Sequence, residues 1–117
     1  MKVLGIIPAR YGSSRFPGKP LIDLKGKTMI QRVYEGAKKS NLLSDIIVAT
    51  DDQRIVDEVK RFGGNVLLTK DTHPSGTDRC GEIASKFSDI DVVVNIQGDE
   101  PLVDYRQLDA LISAFID

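Results

Sequence analysis

Four short apolar runs, Val3–Pro8, Ile46–Thr50, Asn65–Leu68 and Asp91–Ile96, alternate with stretches whose apolar residues recur at helical spacing. This alternation constrains the fold more than any single motif. Strands joined through helices run parallel, and a parallel sheet has to be covered on both faces. The right-handed crossover rule then leaves few topologies. The fourth run carries Val92, Val93 and Val94 in succession, and such continuous apolarity reads as an interior parallel strand. If no strand lies beyond it, it is an edge that its composition does not suit, and a second copy of the chain or a further half is expected to cover it.

The helices follow the same logic. Thr28-x-x-Gln31 reads as a capping box, followed by an apolar face of Met29, Ile30, Val33, Tyr34 and Ala37. A second helix is expected after Thr50-Asp51-Asp52, with Ile55, Val56, Val59 and Phe62 buried and Gly63-Gly64 as its stop. A third is expected from Ser75, with Asp78 as its box partner and Cys80, Ile83, Ala84 and Phe87 on one face. A fourth opens near Asp104 with the stripe Leu108, Leu111, Ile112 and Phe115. Helix capping accounts for Asp51 and Asp52 better than a second acidic site does, and core packing accounts for Cys80. Residues 1–117 read as one α/β domain, without repeats, linkers or low-complexity segments.

The loop leaving the first strand is where an open α/β sheet places a phosphate site. Here it carries Arg10, Arg15 and Lys19, and the first acid of the chain is Asp23. Gly12 and Gly18 allow close backbone approach, and Ser13 and Ser14 add hydroxyl donors. Fixed cations with inward-facing N–H groups are what a polyanion needs. Two common phosphate loops are excluded by spacing. Five residues separate Gly12 from Gly18 and Pro20 follows Lys19, so this is not a Walker A loop; G-x-G-x-x-G is also absent, which argues against a dinucleotide-binding domain. Opposite this loop, Gln97-Gly98-Asp99-Glu100-Pro101 leaves the fourth strand. If strands one and four are neighbours, the two loops face each other across a crevice, and Asp99 is the candidate ligand for Mg²⁺. There is no G-x-S-x-G elbow, and the lone His73 has no second His or Cys nearby to make a zinc site.

The run Pro8-Ala9-Arg10-Tyr11-Gly12-Ser13-Ser14-Arg15-Phe16-Pro17-Gly18-Lys19-Pro20-Leu21 resembles the N-terminal signature of the sugar-acid cytidylyltransferases. It is most similar to those that use 3-deoxy-manno-octulosonate (Kdo), the CMP-Kdo synthetases. The resemblance continues through Ala49-Thr50-Asp51-Asp52, His73-Pro74-Ser75-Gly76-Thr77-Asp78-Arg79 and Gln97-Gly98-Asp99-Glu100-Pro101. It covers the N-terminal half of that family's catalytic unit. It implies a Rossmann-like nucleotidyltransferase fold with a mainly parallel sheet in strand order 3-2-1-4. The implied reaction transfers CMP from CTP to Kdo and releases pyrophosphate, for lipopolysaccharide precursor synthesis.

On that resemblance Lys19, Arg15 and Asp99 are catalytic, with Asp99 on Mg²⁺. Pro8, Ala9, Arg10, Ser13, Ser14, Arg15, Lys19, Arg79 and Gln97 border the nucleotide. Arg10, Arg15 and Lys19 are assigned to the triphosphate, the main chain of Pro8 to Arg10 to the cytosine, and Gln97 to the ribose or base. A related acceptor such as sialic acid or 8-amino-Kdo, or a truncated non-catalytic nucleotide-binding module, remains open as an alternative.

A net charge of −1 gives no global attraction to nucleic acid. No apolar run is long enough for a membrane span, so no membrane insertion is expected. The single cysteine permits no internal disulfide, which fits a reducing, cytoplasmic setting. Self-association, as a homodimer or otherwise, is expected from the fourth strand.

Overall fold

A computed structural model of the chain describes residues 2–12, 17–69, 81–87, 89–98 and 102–116. Its centre is a parallel sheet of β1 (Val3–Ala9), β4 (Asp45–Thr50), β5 (Val66–Leu68) and β6 (Val92–Asn95), in the order β5-β4-β1-β6. Renumbered among themselves, these four strands have the expected order 3-2-1-4. The chain builds outward from β1 through β4 to β5, then returns to the other side of β1.

The crossover rule explains which face each helix takes. The two outward steps put α1 (Met29–Lys38) and α2 (Gln53–Arg61) on one face, where Ile30, Val33, Ile55 and Val59 pack on Ile7, Ile46 and Val48. The return step puts the helical residues 81–84 on the other face, where Ile83 packs with Leu4, Ile6, Ile47 and Ala49, and Phe87 and Ile90 extend the cover. A last helix, α3 (Tyr105–Ile116), lies beside α1 on the first face. Val103, just before it, presses on Gly36 of α1, where a Cβ would come within 3.0 Å of Val103 Cβ. Asp109 of α3 accepts hydrogen bonds from Ser40 Oγ and from the Asn41 N–H (3.2 Å), tying α3 to the turn after α1.

The helix starts agree with the sequence reading in part. Thr28 caps α1, its hydroxyl oxygen accepting from the Gln31 N–H at 3.3 Å. The reciprocal half of the box does not form. The Gln31 amide turns instead to Glu35 (2.9 Å) and accepts from Arg61 (3.1 Å), while the Thr28 hydroxyl donates to Glu58 of α2 at 2.6 Å. A long-range carboxylate has replaced the local partner. Asp52 caps α2 through Arg54 N–H (2.8 Å), as the capping reading of that pair requires. Gly63, at φ +82, ends that helix in the left-handed region that favours glycine.

Other details differ from the expectation. Phe62 is the C-cap of α2 and only half-buried, its ring 5.5 Å from that of Tyr34. A short hairpin of β2 (Asp23–Leu24) and β3 (Lys27–Thr28) precedes α1. Lys25 and Gly26, both at positive φ, form its two-residue turn. In α3, Asp104 Oδ1 accepts from Arg106 N–H at 2.9 Å, so the start is as expected, but the stripe is narrower than expected. Ile112 is fully buried, whereas Leu111 is 51% exposed. Among its described side chains, Leu108 and Ile112 meet the core, and Leu111 lines a groove with Asn95, Ile96 and Leu102; the Phe115 side chain lies outside the described residues. The expected third-helix start at Ser75 and the positions of Cys80 and His73 lie outside the described residues. Among the described residues no helix is long and apolar enough to cross a membrane.

Candidate nucleotide site

β1 outlasts β6. Pairing with β6 ends at Ile6–Asn95, whereas pairing with β4 continues to Ala9–Thr50. The end of β1 therefore borders a step in the sheet, and the chain leaving β6 fills it. Ile96 N–H donates to Ile6 O at 2.9 Å, and Gly98 then lies so close to Pro8 that a Cβ would sit 2.6 Å from the Pro8 carbonyl oxygen. Only glycine permits that approach. It brings the loop carrying Gln97, and the position immediately before Asp99, against the first residue of the basic segment. The chain leaving β6 thus meets the end of β1, from which the basic loop departs.

Ala9 is buried, Pro8 is half-buried and Arg10 is exposed at the strand end. Beyond Arg10 the backbone closes on itself. Gly18 N–H donates to Tyr11 O at 2.6 Å, making a neck across which the chain leaves and returns. Gly18 adopts φ +77, and a Cβ added there would stand 3.1 Å from Cε2 of the Tyr11 ring. Lys19 then opens a single 3-10 turn, Lys19–Leu21. The turn is fixed by buried Pro20, by Leu21 packed on the first-face core and by Leu21 N–H donating to Gly18 O at 2.9 Å. Lys19 therefore leaves from an anchored backbone.

A further cation, which the sequence reading did not include, stands at the neck. The Arg54 guanidinium lies 3.3 Å from the centroid of the Tyr11 ring. Asp52 holds it through Nη2 at 2.8 Å and Nε at 3.1 Å, while also capping α2. That hydrogen-bonded guanidinium keeps the Asp52 carboxyl below the usual aspartate range. Gly98 likewise stands in the sequence motif without a role of its own. No local pattern marks either contact, since each partner is distant in sequence. Gln97 is exposed and lines the groove between the end of β6 and α3, together with Leu102 and Leu108.

Ser13, Ser14, Arg15, Arg79, Asp99 and Glu100 lie outside the described residues. Among the described residues, no group of three or more His, Cys, Asp or Glu side chains could hold a metal. In sequence, two carboxylates, Asp99 and Glu100, follow Gly98.

Residues 4–116 match the family model described as cytidylyltransferase. The 3-deoxy-manno-octulosonate cytidylyltransferase of Syntrophobacter fumaroxidans is 56% identical over 116 residues, which are 97% of this chain and 46% of that protein. The enzyme of the same name from Bacteroides thetaiotaomicron is 58% identical over 118 residues, covering all of this chain and 46% of the relative. A solved CMP:2-keto-3-deoxy-manno-octonic acid synthetase complexed with CTP superposes with a TM-score of 0.96 at 46% identity, over 100% of this chain and 48% of that one. The chain thus spans about half the length of the curated relatives it matches. Strand order, the meeting of the chain after β6 with the end of β1, and these likenesses agree: the chain belongs to the cytidylyltransferase family.

Proposed function

We propose that this chain is the nucleotide-binding half of an enzyme that transfers CMP from CTP to Kdo, releasing pyrophosphate. The observation that carries the proposal is the seating of Gly98 on the Pro8 carbonyl. It sets Gly98, which Asp99 and Glu100 follow in sequence, against the end of β1, two residues before Arg10. The CTP-complexed synthetase of nearly identical fold and the Kdo-specific names of the relatives support the substrate assignment.

In this reading the anomeric hydroxyl of Kdo attacks the α-phosphorus of CTP. A new sugar oxygen–phosphorus bond forms, the bond to the bridging α–β oxygen breaks, pyrophosphate leaves with that electron pair, and the hydroxyl proton is lost. Such chemistry asks the protein for position and charge rather than for covalent work. Arg10, Arg15 and Lys19 hold the triphosphate and neutralise the leaving pyrophosphate. Ser13 and Ser14 donate hydrogen bonds to it. The main chain of Pro8 and Ala9, fixed between β4 and Gly98, borders the cytosine. Gln97 meets the ribose or base, and Arg79 borders the base and sugar. Asp99 would hold Mg²⁺, which when bound neutralises charge across the phosphate oxygens.

The proposal includes two further points. The chain acts in the reducing setting its single cysteine suits, the cytoplasm. It also self-associates through β6, whose outer edge is unpaired among the described residues and leaves Val93 40% exposed. Sedimentation tests the second point, with a dimer expected and a monodisperse monomer at high concentration contradicting it.

The activity test joins this chain to the remaining part of the Bacteroides relative and follows pyrophosphate release. Release that needs both CTP and Kdo is expected. Release with another nucleotide or another sugar acid, and none with CTP and Kdo, would overturn the assignment.

A further inference from the structure

We propose that Arg54 is a positioning residue for nucleotide binding: clamped by Asp52, it braces the Tyr11 ring and so fixes the neck from which both Arg10 and Lys19 leave. The functional part of this inference rests on the nucleotide reading above; the brace itself does not.

The geometry is a chain of fixed contacts. Asp52 is anchored twice, as the N-cap of α2 and as a two-point acceptor for the Arg54 guanidinium. Arg54 covers the Tyr11 ring at 3.3 Å from its centroid. Gly18 meets the edge of that ring, where a Cβ would stand 3.1 Å from Cε2, and its N–H is bonded to the Tyr11 carbonyl. Arg10 precedes Tyr11 and Lys19 follows Gly18, so each end of the neck is covalently joined to a cation of the proposed triphosphate site. The first turn of α2 thereby sets where two distant cations start.

Tyr11 packs on the first-face core, but the Arg54 side chain that covers its ring is 58% exposed. An exposed guanidinium over an aromatic ring adds little to global stability, but a planar, weakly hydrated fork held by a carboxylate is well suited to keeping a ring in place. Lysine could supply the charge without the fork. The contact therefore acts through order at the neck, and its loss is read in local opening and affinity rather than in unfolding.

The test compares the wild-type chain with Arg54→Ala, Arg54→Lys, Tyr11→Ala and the Arg54→Ala/Tyr11→Ala double variant. Amide hydrogen exchange at Gly18 reads the neck without nucleotide, calorimetric titration with Mg²⁺ and CTP reads the site, and thermal unfolding is the control. Arg54→Ala is expected to speed Gly18 exchange and weaken CTP binding by about two- to fivefold, the size of an exposed cation–π contact, with little change in the unfolding midpoint. Arg54→Lys should recover only part of both effects, and Arg54→Ala should add nothing once Tyr11 is alanine. Wild-type exchange in Arg54→Ala, full additivity of the two substitutions, or faster exchange with unchanged affinity would each overturn the proposal. If the wild-type chain binds no CTP, the nucleotide reading and the positioning role fall together, while the Gly18 comparison still decides whether the brace exists.

Discussion

The two sides of β1 are finished to different degrees. Toward β4 and α2, the described elements near the strand end are held. Pairing runs to Ala9–Thr50, the 3-10 turn at Lys19 rests on buried Pro20, and Asp52 with Arg54 braces Tyr11. Toward β6 the described surface is open. The strand has no outer partner there, Val93 is exposed, and Leu102 (84%) and Leu111 (51%) stand out beside the groove at its end. The contrast teaches that this chain carries its own scaffold for the side of the crevice proposed to hold the phosphates. The other side presents apolar surface that is costly to leave in water.

Two neighbours on α3 test that contrast with the largest expected difference. Ile112→Ala removes a fully buried side chain and should cost about 2–5 kcal/mol in urea unfolding. Leu111→Ser, one residue earlier and half exposed, should stay within about 0.5 kcal/mol. Equal costs would mean that the outer face of α3 is covered in solution, as it would be in a self-associated state.

Next in size is the phosphate side itself. Lys19→Ala should weaken CTP binding by about 1.5–3 kcal/mol, the worth of a charge-assisted contact, with little effect on folding. Gly98→Ala tests the meeting of the two sides. Its Cβ would meet a backbone oxygen that cannot move aside cheaply, so a loss of about 1–3 kcal/mol in stability is expected, together with weaker nucleotide binding. Unchanged stability would separate the two loops.

The smallest effect is one of pH. Arg54 lowers the Asp52 carboxyl below its unfolded value, so its contribution is present above the ordinary aspartate range and is lost as acid carries the pH down through the lowered folded value. Acid titration of stability below about pH 4 should therefore be shallower in Asp52→Asn, which keeps a capping oxygen but no charge. An identical acid limb in both proteins would show that the ion pair contributes nothing.

These pairs also show what the sequence could reveal. Alternation and handedness pointed to a parallel α/β sheet, the strand order came from the family resemblance, and the caps at Thr28 and Asp52 were marked by short polar side chains before apolar stripes. Patterns of this kind are local, or follow from a chirality rule. Leu111 was misread because periodicity marks the faces a helix could bury, not how wide a stripe its neighbours cover. The β2–β3 hairpin had a signal, Lys25-Gly26 as a two-residue turn, but its strands are too short to show alternation. Arg54 on Tyr11 and Gly98 on Pro8 depend on contacts across more than forty residues in each case, and no window of sequence contains them. Pro8 and Arg10 lie at the end of β1, Gln97 lies just past β6 and Lys19 opens the 3-10 turn, while the contacts that hold these positions became visible only in three dimensions.

The most direct test of the central claim is calorimetric titration of the chain with CTP, UTP, ATP and GTP, with and without Mg²⁺. A scaffold complete on the phosphate side predicts selective binding of CTP, strengthened by Mg²⁺. Absence of binding, or a clear preference for another nucleotide, would contradict it.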